Sequence, residues 1–90
     1  MSEQQQAPRI VLKIVSQKGT CQFNHHVGQE FDLSSGVPTG LCPGAYNSAH
    51  PTIYAMYFGA KIPWAKADGS VHIACPDPEN PVVMAIKRDD

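Results

Sequence analysis

Arg9 to Ser16 is a largely apolar run in which Ile10, Leu12 and Ile14 fall on one side and Val11, Lys13 and Val15 on the other. A period of two in a run rich in β-branched residues predicts a strand with a strongly apolar face. The alternation returns in Val71-His72-Ile73-Ala74, which turns Val71, Ile73 and then Cys75 inward, and again from Pro81 to Arg88, where Val82, Met84 and Ile86 share a face. The last strand is predicted to pair with the first. A short strand at about Glu30 to Leu33 carries Phe31 and Leu33 inward.

Between these segments the period changes. Ala45, Ala49, Ile53, Met56 and Tyr57 fall on one stripe at helical spacing, with Cys42 as N-cap, Pro43 in the first helical position and Gly59 at the end. Pro51 interrupts the stripe and predicts a kink, or two short helices meeting near His50. Tyr54 and Phe58 make the second half of the helix apolar nearly all round, which points to burial on two sides, one of them against a neighbouring subunit. Trp64, in the irregular connection that follows, is expected to fold back as a lid on the core. The predicted class is α+β: a small antiparallel sheet of about four strands packed on one Pro-kinked helix, forming a single domain over residues 9–90 behind a disordered tail at residues 1–8.

Composition narrows the function classes. Ninety residues bury only a modest fraction of the unfolded surface, so a metal or a partner subunit is the expected staple. A formal net charge of −1 supplies no electrostatic footprint for nucleic acid or anionic membrane, and neither is predicted as a partner. The polar start of the chain has no apolar run behind it long enough for a signal peptide or a span, which predicts a cytoplasmic protein. Three cysteines at wide separations do not form a secreted disulfide framework and read instead as reduced or metal-bound thiols.

The most constrained stretch is Cys75-Pro76-Asp77-Pro78-Glu79-Asn80-Pro81, where three prolines fix the backbone and exclude both helix interior and central strand. A stiff loop presents its side chains at fixed positions. Cys42-Pro43 repeats the same local pairing.

Four motifs carry a resemblance: Lys18-Gly19-Thr20-Cys21 with His25 and Gly28; Gly40-Leu41-Cys42-Pro43; Phe58-Gly59-Ala60-Lys61-Ile62-Pro63-Trp64; and Cys75-Pro76-Asp77-Pro78. In these the chain resembles, from about Ile10 to Arg88, a family of short uncharacterised prokaryotic proteins of about this size. Ala60 stands where that family has a second glycine, and Tyr57 where it tends to place a basic residue. The resemblance implies no activity, but it selects His25 over His26 as the histidine of interest, since neighbours in an extended segment point to opposite sides.

The chemistry rests on the residue types. Zinc takes thiolate and imidazole ligands in tetrahedral sets, and Cys21, His25, Cys42 and Cys75 supply three sulfurs and one nitrogen, each cysteine at the end of a predicted element. An iron–sulfur cluster on the three cysteines is a variant of the same site. No Cys-x-x-Cys knuckle is present, so tertiary folding must assemble the set. Asp77 and Glu79 are candidate acceptors behind the ligands, and His50 is a reserve ligand. Two other readings stand beside this one. Cys42, at a helix N-terminus, pairs with His25 as nucleophile and base of a thiol enzyme. Alternatively the cysteines are small buried hydrophobes of a metal-free oligomeric module, whose aromatic residues, Trp64 among them, line a pocket for a small molecule.

Overall fold

The computed structural model describes residues 8–34 and 36–89. The expected N-terminal tail lies outside these apart from Pro8. Four strands and one helix follow in the order β1 (Ile10–Gln17), β2 (Glu30–Asp32), α1 (Pro43–Tyr57), β3 (Val71–Ala74) and β4 (Val82–Arg88). The strands form one antiparallel sheet in the order β2-β1-β4-β3, so the α+β class read from the sequence is the observed one.

The alternation in β1 and β4 builds the centre of this sheet. Leu12 lies opposite Ile86 and Ile14 opposite Met84, with a register shift between Ile14 and Ser16. Ile10, Leu12, Ile14, Met84 and Ile86 are wholly buried, joined by Val71 of β3 and Val82. Each such side chain contributes on the order of 1.5–3 kcal/mol on removal from water. Helix α1 covers this face, principally over β4 and β3, with Ala45, Ala49, Ile53 and Met56 turned inward. Small residues at 45 and 49 let the first turns sit close to the sheet, and the larger pair fills the space further along.

The helix ends are built differently from each other. Cys42 occupies the N-cap position with extended backbone (φ −59°, ψ 131°) and no side-chain cap, and Pro43 fixes the first turn. At the other end Gly59 adopts φ +81°; its N–H bonds the Met56 carbonyl and the Ala60 N–H bonds the Ala55 carbonyl. This is a Schellman closure. The last turn holds no basic residue of its own, but the Arg88 guanidinium reaches from β4 and donates to the Met56 carbonyl at 2.8 Å, placing positive charge at the negative end of the helix.

Two expectations change. Of the two outcomes expected at Pro51, division into two short helices does not occur: α1 runs unbroken from Pro43 to Tyr57 with Pro51 inside it. Pro51 and Asn47, whose carbonyl loses its helical donor, are both exposed, so the missing hydrogen bond falls on the solvent side of the helix. Trp64 is not a lid; it is 69% exposed, and Ile62 and Ala65 pack on the core in its place. No helix among the described residues is long and apolar enough to cross a membrane.

The stiff loop is latched to the far end of β1. The Asn80 Oδ1 accepts the Thr20 N–H at 2.9 Å and the Lys18 N–H donates to the Pro81 carbonyl at 3.0 Å. Gly19 passes under Asn80 at φ +68°, with no room for a Cβ beside the Asn80 amide oxygen. Gly19→Ala is therefore expected to destabilise by about 2 kcal/mol or more, combining left-handed strain with displacement of the latch. In an Asn80→Ala background the same change should cost only about 1 kcal/mol. Urea denaturation of the four proteins measures this, and equal costs in both backgrounds would show that Asn80 yields freely.

Candidate functional site

The sheet order brings the cysteine-bearing loops together. Gln17, the last residue of β1, lies opposite Val82, and Ala74, the last of β3, lies opposite Val83. Because β1 and β3 both run antiparallel to β4 on its two sides, the segments that leave them emerge at the same end of the sheet. Cys21 follows β1 there, Cys75 follows β3, and the start of α1 brings Cys42.

All three cysteines line one cavity of about 350 Å³, whose walls also include Phe23, Gly44 and Pro76. Each is a free thiol, half-buried, packed against the edge of the core. Backbone donors face two of the sulfurs: the His25 N–H points to Cys21 Sγ at 3.4 Å and the Val82 N–H to Cys75 Sγ at 3.3 Å. As the side chains stand, no group of three or more His, Cys, Asp or Glu among the described residues is disposed to hold a metal ion.

His25 lies behind the cavity wall. It is 3% exposed, with Phe23 on one side at a centroid distance of 5.4 Å and Phe31 edge-on at 5.5 Å on the other. Its Nε2 accepts the Cys42 backbone N–H at 3.0 Å, which fixes the tautomer: the proton is on Nδ1, which donates to Gln29 Oε1 at 2.9 Å. Both ring nitrogens are thus engaged. A nucleophile–base pair needs the imidazole on the sulfur; here it meets the backbone of Cys42 instead and supports the helix start.

The loop carrying Cys21 and His25 is held from several directions. Gln29 Oε1 also takes the His26 N–H at 3.3 Å, and Gln17, with its amide turned to satisfy both neighbours, donates to the His25 carbonyl and accepts the Cys21 N–H at 3.2 Å. Asn24 takes the left-handed conformation (φ +62°), and its N–H closes the turn on the Cys21 carbonyl at 2.9 Å. Neither glutamine stood out in the sequence, since a partner three, four or eight positions away in a loop carries no periodic signal. The only cue is the interval from His25 to Gln29.

Asp77 lines the cavity, but its oxygens serve the loop itself, accepting from the Glu79 N–H at 3.0 Å and from the Asn80 N–H and Nδ2, both at 3.3 Å. Glu79 is exposed and brings its backbone N–H to this turn. His50 and Trp64 are not part of the cavity wall: His50 stands exposed on α1 between Tyr46 and Tyr54, and Trp64 is open to solvent. The chain matches no protein-family model, no curated protein and no solved structure.

The Asp77 carboxyl is held below its ordinary value of 3.8, chiefly by the Glu79 backbone N–H and next by the Asn80 side chain, which outweigh the opposing effect of desolvation, with a last, smaller contribution from the Asn80 N–H. A lowered folded value means that the contribution of this turn is complete above the ordinary value and is lost as pH falls through the lower folded one. The Glu79 amide resonance should therefore titrate with a midpoint below 3.8, and the transition should vanish in Asp77→Asn. A midpoint at or above 3.8 contradicts the turn.

Proposed function

We propose that this chain is a small cytoplasmic protein that binds a thiophilic transition-metal ion, zinc foremost, through Cys21, Cys42 and Cys75. The observation that carries the reading is that three cysteines far apart in sequence line a single cavity, reached from β1, β3 and α1. Thiols at an open cavity persist in a reducing compartment, which fits the cytoplasm.

In this reading the thiolates turn inward between staggered rotamers to meet the ion, and the ion supplies the free energy of convergence. His25 holds the Cys42 backbone at the wall rather than entering the ligand set. Three protein ligands leave a fourth position facing the cavity, where water or a small molecule binds; such open zinc sites are those that support chemistry or exchange. Soft thiolate sets also suit copper(I) or an iron–sulfur cluster, so the identity of the metal is part of the test.

The protein purified without oxygen or chelator should carry about one metal per chain by elemental analysis, with its thiols protected until unfolding. Each single Cys→Ser change should abolish stoichiometric binding, while His25→Ala should weaken it by about 10–100-fold without removing the site. Absence of metal together with three thiols that react before unfolding would overturn the reading. Loss of binding in His25→Ala as complete as in the cysteine variants would return the imidazole to the ligand set.

The His25 bridge also makes a separate prediction. Removing it leaves the Cys42 N–H without its partner beside a vacated site, so His25→Ala should destabilise the metal-free protein by about 2–4 kcal/mol in urea. A loss under about 0.5 kcal/mol would show that the bridge does not hold the helix start.

A further inference from the structure

Helix α1 contains no Asp, Glu, Lys or Arg over its 15 residues. Surface helices ordinarily carry charge opposite their apolar stripe. Here a row at intervals of four starts at Tyr46, half-buried against the edge of the core, and runs outward through His50, Tyr54 and Phe58, whose rings follow one another at centroid distances of 5.7, 5.9 and 5.0 Å. Tyr57 adds a fifth ring, edge-on to Phe58 at 5.3 Å. Tyr54 is 60% exposed and Phe58 70%, so the ladder is open along its C-terminal half.

We propose that this face is a self-association surface and that its occupant is the same face of a second copy of this chain. Three features select a copy over another partner. A row at intervals of four is one of the natural ridges of a helix, and the commonest helix pairing interdigitates two such rows at an angle of about −50°. Two identical ridges meet that requirement directly. A two-fold contact sets each residue against itself or a near neighbour, so a charged face would meet like charge; a face with none is free of that opposition. Rim charges, the usual means of selecting a foreign partner, are missing from the helix itself.

The area is sufficient. Tyr54, Tyr57 and Phe58 expose about 350 Å² between them on the usual area of an aromatic side chain. With the exposed His50, Pro51 and Asn47 the face approaches about 500–600 Å² per copy, the low end of specific interfaces. The dimer is accordingly expected to be of moderate affinity and concentration-dependent rather than obligate.

Sedimentation equilibrium on the full chain from about 1 µM to 1 mM tests this. The expected result is a monomer–dimer equilibrium with a midpoint in the micromolar range. Tyr54→Glu and Phe58→Glu, both at exposed positions, should each weaken it at least about 30-fold by facing like charge across the two-fold axis. Unchanged circular dichroism shows that a variant has folded, and His50→Glu serves if either has not. A chain that stays monomeric to 1 mM leaves the face to some other partner and overturns the proposal. So does a dimer unaffected by the glutamate variants.

Discussion

The hydrogen bond from the Cys42 N–H to His25 Nε2 joins two parts of the chain that lie 17 residues apart in sequence. One is the loop between β1 and β2, which has little secondary structure; the other is the start of α1, where Cys42 offers no side-chain cap. A buried imidazole accepting a backbone donor satisfies one of the orphan N–H groups of the helix start and orders the loop together with it. Without that acceptor a half-buried donor is left at a cost of about 1–3 kcal/mol. The ring is itself fixed by Gln29, Phe23 and Phe31, so the position of the helix start depends on side chains from the loop and from β2.

That bridge and the sheet topology locate the site together. Antiparallel pairing on both sides of β4 sends the chain out of β1 and β3 at one end, and the Asn80 latch prevents the two exits from separating. The prolines then stiffen the Cys75 side, while Gln17 and Asn24 shape the Cys21 side. Three thiols around one cavity are thus the outcome of constraints acting on backbone, not of any attraction between the sulfurs. Such an assembly leaves the sulfurs lining the cavity without being bonded to one another.

The regular elements were legible because each is governed by a periodic pattern tied to a buried face. Ile10, Leu12 and Ile14, or Val82, Met84 and Ile86, can satisfy their apolar side in only one way, and helix α1 is marked at one end by Cys42-Pro43 and at the other by Gly59. The gathering of Cys21, Cys42 and Cys75 at one end was legible for the same reason, since each closes or opens a periodic element. His25 was visible as a residue but not in its role: which atom an imidazole nitrogen meets depends on tertiary approach, and a backbone N–H leaves no trace in composition. Trp64 was misread as a lid on the core because size and apolarity favour burial only on average; in the irregular chain around Pro63, the smaller Ile62 and Ala65 reach the core and the indole does not.

The two faces of α1 show how so short a chain divides its apolar content. Its inner stripe is narrow, ending in Ile53 and Met56, because a four-stranded sheet offers only one face of limited width for a single helix to cover. The aromatic residues on the outer side cannot also be accommodated there, and a domain of this size has no second layer to receive them. Tyr54 and Phe58 are therefore left outside for a geometric reason, whatever meets them. A sequence under pressure only to fold would place charge at those positions, as helices on water do. The uncharged, contiguous aromatic ridge is thus separate from the requirements of the fold, which the inner stripe already meets.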